Sequence, residues 1–194
     1  MSVDRAPSAI PGVRFGATVR HLDPRGAFRE LWRASDYPPE VRFVQANQSS
    51  SAAGVLRGLH VHQRQMDRWV VTAGRALVVL VDVRPMLTRG HRPVAADGPD
   101  APHVETETRE LRADDWVDIP AGVAHGFLAL EPLELVYLVT NEYDGADELG
   151  FAWDDPDAAV PWPAVPATPD GRPILSERDR SNPSLAEVVA RLRG

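Results

Sequence analysis

Many short β-branched and aromatic runs at regular spacing, each punctuated by Gly or Pro, predict an all-β barrel rather than alternating strand–helix units. One capped helical pattern at the end of the chain adds a short C-terminal helix. The composition, 43% hydrophobic and 25% charged over 194 residues, is that of a globular domain large enough to bury its own core.

Residues 1–12 carry two prolines and no periodicity, and are expected to form a loose arm. Gly16–Leu22 alternates weakly as a strand does, and Asp23-Pro24-Arg25-Gly26 is a turn by its Pro and Gly placement. Phe28–Arg33 fits a strand or a short helix equally, whereas Val41–Gln48 has the period of a half-buried strand. Small residues, Ser49–Gly54, lead into Gly54–Gly74. Arg68–Thr72 and Ala76–Arg84 flank Ala73-Gly74 and are expected to pair as a hairpin. Pro85–His103, rich in proline and without period, reads as a long loop. Thr106–Leu111, Trp116–Ile119, Gly126–Leu130 and Leu133–Thr140 read as further strands. The tail Asp144–Pro183 is expected to cross the barrel as extended chain. Ser184 and Glu187 then form a capping box ahead of Leu185, Val188, Val189 and Leu192, a helical stripe. The expected plan is one domain, 1–194, with an arm and first strands (1–50), a barrel core (51–143) and a tail with helix (144–194).

Composition also excludes functions. The chain has no cysteine, hence no disulfide framework and no thiolate chemistry. The longest apolar run, Ala76–Val81, is too short to span a bilayer, and MSVDRAPSAIPG lacks the apolar core of a secretory signal, so a cytoplasmic location is expected. A net charge of −7 argues against binding nucleic acid or an anionic membrane. All 21 basic residues are arginine, which removes Schiff-base chemistry and every other mechanism needing an ammonium group.

The densest chemistry lies in Gly54–Gly74, GVLRGLHVHQRQMDRWVVTAG. His60 and His62, two apart on a presumed strand, face the same side. Asp67 follows, and His125 comes from a separate strand behind the tight turn Pro120-Ala121-Gly122. A lone histidine is more often a satisfied structural imidazole, but His60 stands behind Arg57-Gly58, a cation beside a residue that permits close approach. Two readings compete: His60 as a general base on an anionic substrate, or His60, His62, Asp67 and His125 as ligands of Fe, Mn, Ni or Zn. The spacing Gly54, five residues, His60-x-His62, four residues, Asp67, six residues, Gly74 resembles the first cupin motif, with Asp67 where Glu is usual. Pro120, Gly122 and His125 resemble the second. The likeness implies a cupin barrel, the double-stranded β-helix or jelly roll.

A narrower resemblance runs nearly end to end: Asp23-Pro-Arg-Gly-Ala-Phe28-Arg-Glu30, Phe43-Val-Gln45-Ala-Asn47, Gly54-Val-Leu-Arg57-Gly-Leu-His60, Val81-Asp82-Val-Arg84, Ile119–Phe127, Tyr137, Trp153–Pro156, Trp162-Pro163 and Leu175–Asp179. In order and spacing these are similar to the dTDP-4-dehydrorhamnose 3,5-epimerase family, which acts on dTDP-4-keto-6-deoxyhexoses without a cofactor. The resemblance implies that His60 removes a proton next to the ketone, that Asp179 fixes its tautomer, and that Tyr137 returns a proton on the opposite face. It places Arg25, Arg57 and Arg178 on the diphosphate, Phe28, Glu30, Gln45 and Asn47 around thymine and sugar, and His125 in the pocket. It also implies a homodimer. The chain departs from the family at Asp67, where a lysine that steadies the enolate is expected. Arg68 is the nearest replacement cation. Glu142 stands where an aromatic is usual.

Overall fold

The computed structural model describes residues 2–89, 104–165 and 168–193. Two antiparallel sheets face each other. The first orders β1 (Ser2–Asp4), β2 (Arg14–Thr18), β10 (Asp115–Ile119), β7 (Asp67–Ala73), β12 (Leu133–Val139) and β5 (Gln45–Ser51). The second orders β13 (Leu149–Gly150), β6 (Leu56–Val61), β11 (Val123–Ala129), β8 (Arg75–Asp82) and β9 (Glu105–Arg112). A separate hairpin pairs β3 (Arg20–Asp23) with β4 (Gly26–Arg29), turning at Pro24-Arg25. The described residues also form three α-helices: α1 (Arg84–Arg89), α2 (Glu177–Arg180) and α3 (Leu185–Arg193). This is the jelly roll with a short C-terminal helix that the motifs imply.

Burial explains the sequence pattern. Between the sheets, alternate residues of each strand, such as Phe15, Trp69, Val71, Val78, Leu80, Val117 and Phe127, fill one core cluster. The outer face of the second sheet is covered too: Val79, Val81, Leu59 and Val61 pack with Met86 of α1 and with Leu185, Val188 and Val189 of α3. The run Ala76–Val81 is continuously apolar because both its faces are buried. The capping box closes as expected, with the Ser184 amide donating to Glu187 Oε2 at 2.9 Å and the Glu187 amide to Ser184 Oγ at 3.3 Å.

Several sequence expectations are corrected. Arg68–Thr72 and Ala76–Arg84 do not pair with each other: β7 joins the first sheet and β8 the second. Gly74, at φ +80°, turns the chain from sheet to sheet, and a Cβ there would lie 2.0 Å from the Pro132 carbonyl oxygen. The N-terminal arm is not loose. β1 pairs with β2 (Val3 opposite Ala17), Arg5 bonds Asp115 at 2.6 Å, and Ile10 is buried in the core. The arm is therefore anchored on its own chain, although most of its residues from Arg5 to Gly12 stay exposed. Phe28–Arg33 resolves into the end of β4 followed by irregular chain, and the strand expected at Val41 begins at Gln45. The expected long loop opens with α1, and its residues 90–103 lie outside the described residues. The tail is extended for much of its length but adds β13 to the second sheet and folds into α2. No helix among the described residues is long and apolar enough to cross a membrane.

Candidate active site

A cavity of about 480 Å³ opens between the sheets, and strand parity decides which side chains enter it. Gln45, Asn47 and Ser49 of β5, Leu135, Tyr137 and Val139 of β12, Asp67 and Trp69 of β7, and His125 and Phe127 of β11 all point inward. β6 contributes Arg57 and His60, and His62 follows just beyond its end. The tail closes the mouth with Tyr143, Glu148, Ser176, Arg178 and Asp179.

His60 is set by a close crossing of backbones. His125 of β11 sits opposite His60 of β6, and the register shifts between His125 and Phe127. Gly58, at φ +129°, allows the approach, since a Cβ on it would lie 2.7 Å from Gly126 Cα and 2.9 Å from the His125 carbonyl. Behind His60, β13 pairs Gly150 with it, and the tail then delivers α2. Ser176 caps α2, its hydroxyl accepting from the Asp179 amide at 3.0 Å. Asp179 Oδ1 lies 2.8 Å from His60 Nε2 and is buried. Burial alone would raise this carboxyl, but the His60 hydrogen bond and charge, the Ser176 cap and Arg178 outweigh it, leaving Asp179 below its ordinary value. An ionised carboxylate only accepts, so His60 carries its proton on Nε2 and keeps a lone pair on Nδ1.

Tyr137 lies across the cavity from β6. Burial, then the charges of Asp67 and Glu148, raise its hydroxyl, with Arg57 acting the other way, so the phenol stays protonated at neutral pH. Ser49 Oγ lines the same wall and is buried without a hydrogen-bond partner.

At the floor, His125 and His62 each hand one ring proton to a backbone carbonyl. His125 Nδ1 donates to Val123 at 3.0 Å and His62 Nδ1 to Asp147 at 2.9 Å. Burial pushes His125 down to about 4, against the opposing charge of Asp67. Asp67, 3% exposed, accepts from Gln65 Nε2 at 2.7 Å and Trp69 Nε1 at 3.1 Å, and its Oδ2 stands 3.8 Å from His125 Nε2. Ligand atoms of His62, Asp67 and His125 all lie within 4.8 Å of one another. His60 is not in this group; the four-ligand set expected from the cupin motif is corrected to three.

Other expectations fall outside the cavity. Arg68, next to Asp67 on β7, points to the opposite face, 4% exposed. There it pairs with Asp118 at 2.9 Å, donates to the Leu31 carbonyl at 3.2 Å and stacks 4.0 Å over Trp116. It cannot replace the expected lysine. Arg25, 90% exposed, closes on Asp23 of its own hairpin; Phe28 is 71% exposed; Glu30 pairs with Arg33 at 2.6 Å. None of the three lines the cavity of its own chain. Arg178 does line it but is held by Glu148 at 2.9 Å, whereas Arg57 bonds only Ser51 Oγ and the Ser50 carbonyl, with no carboxylate partner among the described residues. Glu142 is exposed and does not line the cavity; its neighbour Tyr143 does. Sequence reading missed Ser49, Gln65, Tyr143, Glu148 and Ser176. The inward parity of β5 was a signal for Ser49, and Ser176 at the start of Ser-Glu-Arg-Asp was one for the cap.

A jelly roll whose internal cavity opens beside an imidazole–carboxylate pair is a cupin-shaped barrel. Residues 7–95 and 100–187 match the family described as dTDP-4-dehydrorhamnose 3,5-epimerase. The chain is 37% identical to the dTDP-4-dehydrorhamnose 3,5-epimerase of Pseudomonas aeruginosa, over 93% of this chain and 94% of that protein. It superposes on the rmlC epimerase of Mycobacterium tuberculosis with a TM-score of 0.79 at 29% identity, covering 100% of this chain and 92% of that one. On ChmJ, a 3'-monoepimerase from Streptomyces bikiniensis solved in complex with dTDP-quinovose, the TM-score is 0.76 at 29% identity, over 97% and 91% of the two chains. The chain belongs to the dTDP-4-dehydrorhamnose 3,5-epimerase family, a family of isomerases.

Proposed function

We propose that this chain epimerises a dTDP-linked 4-keto-6-deoxyhexose at C3, C5 or both, with His60 as the base. The observation that carries the reading is the His60–Asp179 contact of 2.8 Å at the cavity mouth. A ketone at C4 acidifies the neighbouring C–H bonds, and Nδ1 of His60 takes the proton as the C–H electron pair moves into an enolate. Asp179 holds the tautomer that leaves Nδ1 free and balances the imidazolium that forms. Tyr137, protonated and on the opposite wall, donates to the other face of the same carbon, which inverts it. Inversion is completed when Tyr137 regains a proton and His60 loses one to solvent. Each of these proton transfers is made by a side chain of the protein.

Arg57 is the side chain best placed for the diphosphate, being a cation without a carboxylate partner among the described residues. Gln45, Asn47 and Ser49 offer amide and hydroxyl groups to sugar and base. The β3–β4 hairpin, with Phe28 and Leu22 exposed, is an apolar surface that a second copy would cover. We place Arg25, Phe28 and Glu30 at the cavity of that second copy, in a cytoplasmic homodimer. Sedimentation that returns only monomer at micromolar concentration contradicts this arrangement.

The function is tested by solvent deuterium exchange. With a dTDP-4-keto-6-deoxyhexose in deuterated buffer, label is expected at C3 or C5, and His60→Ala is expected to slow its entry by about 10³-fold or more. Binding of dTDP with no label entering any keto sugar would instead make the chain a sugar-nucleotide-binding module.

A further inference from the structure

We propose that His62, Asp67 and His125 form a three-ligand site for a divalent transition metal on the cavity floor. The argument starts from lone pairs. Each imidazole has spent its ring proton on a backbone carbonyl, His62 on Asp147 and His125 on Val123, so each Nε2 is an acceptor. Asp67 adds a third acceptor, an oxygen 3.8 Å from His125 Nε2. Among the described residues neither Nε2 has a hydrogen-bond partner. Three lone-pair-bearing atoms within 4.8 Å repel one another unless a cation or a proton joins them.

The surroundings are those that prepare ligands for a metal. A ligating histidine typically donates its other N–H to a carbonyl or carboxylate, which fixes the ring and its tautomer, and a ligating carboxylate is itself hydrogen-bonded. Both conditions hold: Gln65 and Trp69 each donate to one Asp67 oxygen. Ligand bonds to a first-row ion run about 2.0–2.2 Å, which puts donor atoms about 3 Å apart, so the site closes with side-chain shifts under about 1 Å. Two imidazoles and one carboxylate leave coordination positions open toward the cavity. His60 is not a ligand, because it stands outside the group whose ligand atoms lie within 4.8 Å of one another.

The site also accounts for the residue found where a lysine is expected. An aspartate alone would oppose negative charge on a substrate carbonyl oxygen. A bound divalent cation reverses that sign and supplies Lewis-acid polarisation of a carbonyl. Metal uptake stands apart from the proposed epimerisation, whereas this use of the metal rests on it.

The test uses the full chain, stripped with chelator and dialysed. Calorimetric titration with Zn(II) is expected to give one equivalent per chain, and Co(II) a visible spectrum typical of a low-coordinate nitrogen–oxygen site. Asp67→Asn and the half-exposed His62→Gln, each checked by thermal melting, are expected to weaken Zn(II) by about 100-fold or more. His60→Asn is expected to bind Zn(II) as the parent does. The site is overturned if the stripped chain takes up no metal, if both ligand variants bind unchanged, or if His60→Asn loses the metal. Deuterium exchange before and after stripping separates the two proposals. Exchange lost on stripping and restored by Zn(II) supports the catalytic use. Undiminished exchange in metal-free chain removes that use and leaves the epimerase standing. Stoichiometric metal with no exchange on any keto sugar does the reverse.

Discussion

The cavity holds two imidazole–carboxylate pairs, and they are built differently. At the mouth, His60 and Asp179 meet at 2.8 Å through a shared proton. At the floor, His125 and Asp67 stand 3.8 Å apart, and the imidazole proton has gone to a main-chain carbonyl instead. The first arrangement orients a base and balances the charge it acquires. The second leaves acceptors facing one another, which suits holding a cation. The same residue types diverge in role because of where the second ring nitrogen finds its partner.

Asp179→Asn breaks the first pair without touching the second, and the largest effect is expected there. An amide can accept or donate, so the tautomer is no longer enforced, and kcat is expected to fall about 10²-fold or more with KM nearly unchanged and Zn(II) uptake intact. A rise in KM at constant kcat would assign Asp179 to substrate binding instead. The same substitution has a pH signature. Asp179 is held below its ordinary value, so the stability it lends is full above the unfolded carboxyl's range, near pH 4, and is lost as pH falls through the lower folded value. Urea midpoints of the parent are expected to drop over that acid range more steeply than those of Asp179→Asn.

Gly58→Ala strikes what the two pairs share. It forces a Cβ to 2.7 Å from Gly126 Cα at a backbone conformation that favours glycine, so the strand crossing that sets His60 opposite His125 must open. A loss of about 2–3 kcal/mol is expected in urea unfolding, with exchange and metal uptake both impaired. If only one of them suffers, the pairs are positioned independently.

Much of the site was readable in the sequence because local spacing fixes local parity. The HVH triplet put two histidines on one side, and Pro120-Ala121-Gly122 aimed His125 inward. Arg68 shows where such reading stops. Whether residue 67 or 68 faces the cavity depends on the register of β7 between β10 and β12, and that register gave the interior to Asp67 and buried Arg68 against Asp118. Gly74 misled for a related reason: a glycine turn between two apolar runs reads the same whether the runs pair or part into opposite sheets. The arm was misjudged because Val3 pairs with Ala17 of a strand that is itself held by the sheet, and Ile10 packs into a core built from strands far along the chain.

By itself the sequence determined the barrel class, the capped final helix and the identity of the groups available for chemistry, since periodicity, capping and residue type are local properties. Only the tertiary structure decided which of those groups meet. Asp179 reaches His60 across 119 residues, and His125 of β11 comes back to meet His62 and Asp67, which lie five residues apart at the end of β6 and the start of β7. Such contacts are set by strand register and sheet closure, which are properties of the whole chain.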